Sequence, residues 1–369
     1  MKLIVAGGGT GGHLFPGISV AEEFMSRDPA NRVLFVGTEQ GIESRVIPRL
    51  GMQLECIAAA GVRGKRGLAQ LKGLALFIYG YAQSRQVLKS FRPDLVLGVG
   101  GYASAPLCMA ARGMQIGYFI HEQNAIPGFT NRILSRFARR VLISLEEAEK
   151  HFPEGRVVMT GNPVRRAILE QFPPGAVEPS LSVKGSAINL LVFGGSQGAR
   201  SINRAMMDAA PHLAQMADRL TVVHQTGEND RSDVEAAYRQ AGIQASVIPF
   251  IDDMAGAYRQ ADLIVCRAGA TTIAEVTACG KPCLFIPFPH AVDDHQRKNA
   301  ESLLKKNAGF MMLEQEMKGD HFPSVLSELI SDPSRLAEVG LNARKLARLD
   351  AAKVIVDEML APSTDAKGT

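Results

Sequence analysis

The stretch Ala261 to Ala300 holds the residues whose types and spacing are best suited to chemistry. Asp262 to Cys266 is an apolar run that predicts a strand buried on both faces of a parallel sheet. Thr271 and Thr272 are candidate N-caps of the helix that follows, and Glu275 comes one helical turn later. A helix amino end attracts phosphate, while a carboxylate one turn in suits the hydroxyls of a ribose. The stretch therefore predicts a nucleotide site.

A second polar cluster follows the next predicted strand of the same stretch. Cys283 to Pro287 is typical of a buried strand, and the polar run Asp293 to Arg297 opens a further helix. Both clusters lie at the carboxyl ends of strands, which is the edge where open α/β sheets bind ligands. Helix caps alone also require Thr, Gly and Pro, so a single loop of this kind can be purely structural.

Two glycine-rich turns elsewhere in the chain repeat one pattern. The predicted strand Lys2 to Ala6 leads into the loop Gly7 to His13, and the predicted strand Ile188 to Phe193 leads into Gly194 to Ala199. Each turn is followed by a helical pattern. Glycine lets backbone N–H groups approach a phosphate closely, so both turns are candidate phosphate sites.

An NAD-dependent oxidoreductase is one interpretation of the first glycine loop. Gly7, Gly9 and Gly12 satisfy the G-x-G-x-x-G fingerprint, and Glu39 after the next strand is the candidate for its ribose acid. The match is weak because the loop is nearly all glycine, and because Glu39 comes later than the usual acidic residue. This class also leaves the second glycine turn and the cluster at 267–296 without a role.

The predicted elements form two similar halves, each opening with strand, glycine loop and helix. Alternating strands and helices indicate parallel sheets, so the predicted fold class is α/β with two Rossmann-like domains. The predicted boundaries are 1–163 for the N-terminal domain and 164–344 for the C-terminal domain. The elements used below include a helix from about Pro16 to Met25, a strand from Ile116 to Ile120, and a long helix from about Leu68 to Lys89.

Length and charge agree with two domains and restrict the partners. A chain of 369 residues exceeds the size at which one core keeps growing. Residues 1–163 hold 19 Lys+Arg against 12 Asp+Glu, a basic balance that fits an acidic lipid surface or a phosphorylated substrate. We expect no nucleic-acid partner, since no RNA-binding aromatic signature or helix-turn-helix spacing is present. The five cysteines lack metal-ligand spacing and are expected to be reduced, and the start does not resemble a signal peptide.

Six motifs together resemble those of the glycosyltransferase family 28 enzymes that convert lipid I into lipid II. The motifs occur in the same order as in that family: Gly8 to His13 with Pro16, Gly100 to Tyr102, His121 to Asn124, Gly161 to Arg165, Gly194 to Ala199, and Arg267 to Glu275 with His295 and Gln296. The resemblance implies an inverting transfer of N-acetylglucosamine from UDP-GlcNAc to the MurNAc 4-hydroxyl of undecaprenyl-diphosphate-MurNAc-pentapeptide. It also implies a GT-B fold of two facing domains, with a C-terminal helix at about 345–361 packing back on the first, and a peripheral location at the cytoplasmic face of the inner membrane.

The resemblance further implies a role for individual residues. Glu275 would hold the ribose hydroxyls, and Ile251 would bind uracil through its backbone. The diphosphate would meet Ser196 and Arg165, and the sugar would contact Gln296 and Asn124. The remaining implied substrate-binding residues line the diphosphate and ribose side of the donor or the acceptor side of the cleft: Ala270, Thr271, Thr272, Ile273 and Ala274 for the donor, and Thr10, Gly11 and Gly12 for the acceptor.

His13 is the first candidate for the catalytic base, with His121 and Glu122 as competitors. Inversion at the anomeric carbon requires the acceptor hydroxyl to lose a proton, and imidazole titrates near neutral pH. His13 ends a glycine loop at the carboxyl edge of the first strand. Alternatively, His13 caps the following helix or binds the acceptor diphosphate as a cation.

No metal and no cofactor are expected. The chain contains no Asp-x-Asp pair, and the adjacent pairs Asp252-Asp253 and Asp293-Asp294 fit first-turn helix acids. A UDP-sugar epimerase shares the fold and the donor and is the nearest alternative. A nucleotide-binding module without catalytic activity is another.

The predicted helix from Leu68 to Lys89 is a candidate membrane contact. Leu74 to Tyr79 is apolar on all sides but too short to span a bilayer, and Lys65 and Arg66 precede it, as do Arg63 and Lys72. We expect basic residues to meet anionic headgroups. The residues expected to enter the membrane interface are Leu76, Phe77 and Tyr81.

Overall fold

The computed structural model describes residues 1–60, 68–175, 187–195 and 197–362. Within these, the chain forms two compact units. The amino-terminal unit comprises Met1–Arg165 and the chain from Arg348 onward, and the carboxyl-terminal unit comprises Arg166–Ala347.

The amino-terminal unit is built on a seven-stranded parallel sheet in the order β3-β2-β1-β4-β5-β6-β7. Its strands are β1 (Lys2–Gly7), β2 (Arg32–Gly37), β3 (Gln53–Cys56), β4 (Leu95–Gly100), β5 (Tyr118–Glu122), β6 (Val141–Ile143) and β7 (Val157–Met159). Its helices are α1 (Gly11–Arg27), α2 (Glu43–Arg49), α3 (Leu68–Phe91), α4 (Ser104–Gly113), α5 (Phe129–Leu134) and α14 (Ala351–Leu360). Helix α14 packs against α1, and Ile355 and Val356 are buried in the same core cluster as Leu3 and Phe24.

The carboxyl-terminal unit repeats this plan with six parallel strands in the order β10-β9-β8-β11-β12-β13. Its strands are β8 (Ile188–Phe193), β9 (Leu220–Gln225), β10 (Gln244–Ile248), β11 (Leu263–Cys266), β12 (Cys283–Phe285) and β13 (Phe310–Met311). Its helices are α6 (Arg166–Gln171), α7 (Arg200–Leu213), α8 (Arg231–Gln240), α9 (Met254–Gln260), α10 (Ala270–Cys279), α11 (His295–Leu304), α12 (His321–Ser331) and α13 (Pro333–Leu346). The α/β class with parallel sheets flanked by helices is thus confirmed.

The strand order reverses direction once in each sheet, between β1 and β4 and between β8 and β11. At such a reversal the two flanking connections leave on opposite faces, which opens a crevice at the carboxyl ends of the strands. The central strands β1, β4, β8 and β11 are buried almost throughout, because helices cover both faces of each sheet. Their continuous apolar runs made them predictable from sequence.

Several predicted boundaries were wrong. Helix α1 begins at Gly11 rather than near Pro16, so the glycine loop supplies the first helical turn. Strand β5 runs to Glu122, which places His121 and Glu122 inside the strand rather than after it. The strands β6, β7 and β13 were not predicted, because two or three residues are too few to show a period.

Helix α3 differs in its exposed face from the prediction. Leu76, Phe77 and Tyr81 are half-buried, and Tyr81 packs against the core of the amino-terminal unit. The large apolar side chains that face solvent are instead Ile78 and Tyr79, which are 60% and 59% exposed, together with Leu74. In the described ranges, no helix combines the length and apolarity needed to cross a bilayer.

A buried histidine network lies in the core of the carboxyl-terminal unit. Nδ1 of His224, on β9, accepts a hydrogen bond from the hydroxyl of Tyr238 at 2.9 Å. Nε2 of the same ring donates to Oδ1 of Asn203 at 3.1 Å. Burial lowers the pKa of His224 to about 3. The imidazole is therefore neutral in the folded protein at all ordinary pH values.

We predict that His224 makes the stability of this unit sensitive to acid. Because its folded-state pKa is about 3 against an ordinary 6.5, the unfolded chain takes up the proton first as the pH falls. The contribution of His224 to the free energy of unfolding is complete above pH 6.5. It declines by about 1.4 kcal/mol per pH unit between pH 6.5 and the folded-state pKa of about 3. Glutamine at position 224 does not titrate, so the unfolded variant takes up no such proton. The difference in unfolding free energy between wild type and His224→Gln, measured by urea titration, should therefore become smaller from pH 7 to pH 4.

Tyr238→Phe is the matched control, since it removes a partner of the imidazole and leaves the titrating group in place. Its deficit should change far less with pH. A His224→Gln deficit that is constant from pH 7 to pH 4 contradicts the assignment of a neutral buried imidazole.

Candidate active site

Two glycine turns meet at the strand-order reversal of the amino-terminal unit. The N–H of Gly8 donates to the carbonyl of Gly100 at 3.3 Å, which joins the loop after β1 to the turn after β4. Gly100 has a φ of 96°, and a Cβ there would lie 2.8 Å from Nδ1 of His13. Only glycine therefore suits position 100, because a side chain would be strained and would displace the His13 ring.

His13 lies in the first turn of α1 and is held by the end of β5. Its Nδ1 is 3.0 Å from Oε1 of Gln123, whose Nε2 donates to the carbonyl of Val99 at 2.9 Å. The same Nε2 is 3.1 Å from Nδ1 of His121. The structure thus brings two predicted residues, His13 and His121, to either side of one amide that the sequence analysis had not assigned a role.

His121 is fully buried, and burial lowers its pKa to about 4. Its Nε2 is 3.1 Å from the carbonyl of Gly161 and 3.2 Å from the hydroxyl of Ser144. Since both ring nitrogens are occupied by protein groups, His121 has no nitrogen left for a substrate. The surroundings favour a structural role for His121.

Glu122 is 1% exposed and accepts four hydrogen bonds. One carboxylate oxygen accepts from the backbone and the side-chain amide of Asn124, at 3.0 and 3.2 Å. The other accepts from the Gly128 N–H at 3.1 Å and from Nδ2 of Asn131 at 2.9 Å. Both oxygens of this carboxylate are engaged by protein donors, and its effect is to fix Asn124 at the edge of the sheet.

Glu43 at the start of α2 was missed by the sequence analysis. It is 1% exposed, and its carboxylate accepts from the Gly9 N–H at 2.7 Å and from the Thr38 N–H at 2.8 Å. The Gly9 amide is therefore already engaged. An anion at this loop would meet the amino end of α1 instead, where Gly11 and Gly12 lie and where Thr10 occupies the N-cap position.

Arg165 also belongs to the amino-terminal unit. Its guanidinium lies 5.2 Å from the centre of the Phe15 ring on α1, which is a cation–π distance. Asn124, predicted to contact the donor sugar, is in the same unit, whereas the other predicted donor residues are in the carboxyl-terminal unit or, in the case of Ser196, outside the described residues.

In the carboxyl-terminal unit, the helix that begins at the strand-order reversal is α10. It starts at Ala270 with Gly269 as an extended N-cap, so the prediction of Thr271 and Thr272 as N-caps was wrong. Glycine reaches the cap conformation without a side chain, and the two threonines lie in the first turn. This turn, with Ile273 and Ala274, presents the amino end of α10 at the carboxyl edge of the sheet.

Glu275 lies one turn into α10 and is 3% exposed. The hydroxyl of Tyr258 on α9 donates to its Oε2 at 3.1 Å. Ile251 follows the end of β10 and is also buried. The preceding segment is held in place by Gln225, whose Nε2 donates to the carbonyl of Pro249 at 3.0 Å.

Gln296 lies in the first turn of α11, and its Oε1 accepts from the Phe288 N–H at 2.9 Å. This bond turns the NH₂ end of the Gln296 side chain away from the loop after β12. Arg267 anchors the same loop by donating to the carbonyls of Ile286 and Pro287, at 3.1 and 3.3 Å. Arg267 also pairs with Glu314, so the loop is tied to a third segment of the unit.

The chain matches one protein family over most of its length. Residues 3–143 match the glycosyltransferase family 28 N-terminal domain. Residues 189–358 match the glycosyltransferase family 28 C-terminal domain.

Full-length relatives agree with this match. A protein of Geobacter sulfurreducens named UDP-N-acetylglucosamine--N-acetylmuramyl-(pentapeptide) pyrophosphoryl-undecaprenol N-acetylglucosamine transferase is 64% identical over 98% of this chain and 98% of its own. The crystal structure of Acinetobacter baumannii MurG is 31% identical, with a TM-score of 0.79 over 97% of this chain and 98% of that one. The UDP-GlcNAc 2-epimerase of Neisseria meningitidis, solved with UDP-GlcNAc, has a TM-score of 0.68 at 14% identity over 98% of this chain and 100% of that one. This last likeness concerns the fold alone.

Proposed function

The chain belongs to glycosyltransferase family 28, and we propose that it transfers N-acetylglucosamine from UDP-GlcNAc to the MurNAc 4-hydroxyl of lipid I, forming lipid II. The reaction is a step of peptidoglycan synthesis. The observation that carries the proposal is that Gln123 holds the imidazole of His13 beside the glycine turns of the amino-terminal unit. The carboxyl-terminal unit supplies a helix amino end suited to a nucleotide diphosphate.

The donor is assigned to the carboxyl-terminal unit. The buried carboxylate of Glu275 accepts from the ribose hydroxyls, with the Tyr258 hydroxyl holding it from the other side. The first turn of α10, Ala270 to Ala274, receives the diphosphate with Ser196 and Arg165. Uracil pairs with the backbone of Ile251.

The sugar of the donor is assigned to Gln296 and Asn124. Since the Phe288 N–H occupies Oε1 of Gln296, this side chain offers its NH₂ group and acts as a donor to a sugar oxygen. Asn124 is fixed through Glu122 and requires no reorganisation on binding.

The acceptor is assigned to the amino-terminal unit. Its diphosphate meets the amino end of α1 at Thr10, Gly11 and Gly12. The 4-hydroxyl then transfers its proton to Nε2 of His13 while its oxygen bonds to the anomeric carbon. The bond from that carbon to the β-phosphate oxygen breaks, UDP leaves with the electron pair, and the configuration inverts.

Among the three candidate bases, the geometry favours His13. Glu122 is occupied by four donors, and His121 has both nitrogens engaged in the core. The charge that develops on UDP is assigned to the amino end of α10, whose first-turn N–H groups are fixed before the bond breaks, and to the positive charge of Arg165.

Two other functions can be separated from this one by experiment. A UDP-sugar epimerase shares the fold, and an NAD-dependent oxidoreductase would use the first glycine loop. The Gly9 N–H, which belongs to the dinucleotide fingerprint, already donates to Glu43, and this disfavours the latter. We expect calorimetry to show binding of UDP-GlcNAc and none of NAD, and incubation without acceptor to give no epimerised sugar; NAD binding or epimerisation contradicts the proposal.

We further propose that the amino-terminal unit docks on the cytoplasmic face of the membrane. An apolar patch, defined as Leu74, Ile78, Tyr79, Ile133 and Phe137, is exposed on and beside α3 and α5, and both helices pack against α4. Exposed apolar groups in this number suit insertion into a lipid interface.

Basic side chains accompany the patch. The Arg112 guanidinium lies over the Phe137 ring, 3.1 Å from its centre, and Arg136 and Arg139 are exposed on the following turn. These charges fit anionic headgroups, each contributing about 1 kcal/mol near such a surface. The residues Lys65 and Arg66 proposed from sequence lie outside the described residues, as does Arg63.

For docking, we predict that Ile78→Asp combined with Tyr79→Asp abolishes sedimentation with vesicles containing anionic lipid. Leu341→Asp, an equally apolar exposed position on α13 of the other unit, is the matched control and should sediment normally. Arg136→Glu should weaken binding only to anionic vesicles. Wild-type sedimentation by the double variant contradicts the use of this patch.

For the donor site, we predict that Glu275→Ala raises the KM for UDP-GlcNAc. Loss of a charge-assisted bond to the ribose costs about 1.5–3 kcal/mol, which is about 10- to 150-fold in KM. The kcat should change much less. If the variant does not fold, or if it folds and binds UDP normally, Glu275 is a structural residue and the ribose assignment fails.

For the base, we predict that His13→Ala lowers kcat by about 10²–10⁴-fold while calorimetric binding of UDP-GlcNAc is unchanged. His212→Ala is the control, since this histidine lies on the surface and contacts the exposed carboxylate of Asp320. A normal kcat with a raised KM for the lipid acceptor would make His13 a binding residue.

A further inference from the structure

The side chain of Gln123 is almost wholly buried between β4, β5 and α1, and all its polar atoms have partners. A backbone carbonyl can only accept a hydrogen bond. The amide atom 2.9 Å from the carbonyl of Val99 must therefore be the nitrogen, Nε2, which fixes the orientation of the amide. Oε1 then necessarily faces Nδ1 of His13.

The second proton on Nε2 of Gln123 determines the tautomer of His121. It points to Nδ1 of His121, at 3.1 Å, so this nitrogen accepts. The proton of the neutral His121 ring is consequently on Nε2, where the carbonyl of Gly161 receives it at 3.1 Å. The Gly161 carbonyl by itself requires a proton on Nε2 of His121, which leaves a lone pair on Nδ1. The rotated amide would set oxygen against that lone pair and against the Val99 carbonyl, so two contacts exclude it.

We propose that Gln123 is a positioning residue that holds His13 in the tautomer with the proton on Nδ1 and with Nε2 bare. Amide oxygen has no proton to give, so Nδ1 of His13 must donate across the 3.0 Å contact. The inference rests on the proposed function, because a bare Nε2 matters only if His13 receives the acceptor proton.

A neutral amide differs in its effect from the carboxylate that orients histidine in serine hydrolases. It selects the tautomer and the ring orientation without placing a negative charge beside the ring. The chain from Gly161 through His121 and Gln123 to His13 contains no anionic member among these side chains. Free imidazole prefers the other tautomer, with the proton on the nitrogen that corresponds to Nε2, so without such a partner a smaller fraction of His13 has Nε2 ready to accept a proton.

The direct test is the tautomer of His13, read from long-range proton–nitrogen correlations of protein labelled with ¹⁵N in the histidine rings. The His13 signals are identified by their loss in His13→Ala. At a pH where the ring is neutral, we expect wild-type Nδ1 to show the shift of a protonated nitrogen and Nε2 that of an unprotonated one. A protonated Nε2 in the wild type overturns the proposal without any variant of Gln123.

The second arm uses Gln123→Met, which nearly preserves volume and removes the hydrogen bonds of the amide to His13, Val99 and His121. We expect His13 to shift toward the Nε2-protonated tautomer and kcat to fall by about 10- to 100-fold, the usual effect of losing an orienting partner. The KM for UDP-GlcNAc should stay within about twofold, because the donor residues are untouched.

The outcomes separate this inference from the proposed function. An unchanged tautomer or an unchanged kcat in folded Gln123→Met overturns the positioning role. If instead His13→Ala retains its kcat, the role of His13 as base is wrong, whatever the tautomer. Thermal unfolding and UDP-GlcNAc calorimetry establish that each variant is folded before its kcat is compared.

Discussion

The strand-order reversal in each parallel sheet is the constraint on which the rest of this structure depends. All strands of a parallel sheet end at the same edge, and only at the reversal do neighbouring connections diverge. In one unit the reversal brings the loop after β1 against the turn after β4, and in the other it exposes the start of α10 after β11. The topology of each sheet therefore determines where the proposed base and the proposed diphosphate site lie, and the side chains determine their chemistry.

Buried carboxylates are the second common feature: two of them order loops at the first edge, and a third lies in α10 at the second. Glu43 accepts from the Gly9 amide, Glu122 from Asn124 and its neighbours, and Glu275 from the Tyr258 hydroxyl. Burying an ionised carboxylate is costly unless donors surround it, so each loop must keep its conformation to keep its donors. His13, by contrast, contacts a neutral amide, since the described partner of its Nδ1 is Oε1 of Gln123.

The sequence predicted what depends on local pattern. Buried strands such as β1 and β8 are continuous apolar runs, and the glycine turns follow them directly, so both Rossmann-like halves were predictable. It did not predict contacts between distant residues: Gly9 meets Glu43 across 34 positions, and His13 meets Gln123 across 110. The prediction of the α10 N-cap was wrong for a different reason. Threonine and glycine both suit an N-cap, and only the backbone conformation distinguishes them.

The most direct test of the central claim is the configuration of the product. With UDP-GlcNAc, whose sugar is α-linked, and a lipid I analogue, NMR coupling at the new anomeric proton reports whether a single displacement occurred. Deprotonation of the acceptor by His13 with direct attack predicts a β-linked disaccharide. An α-linked product would require a covalent intermediate or a different attack geometry, and would contradict the mechanism at its base.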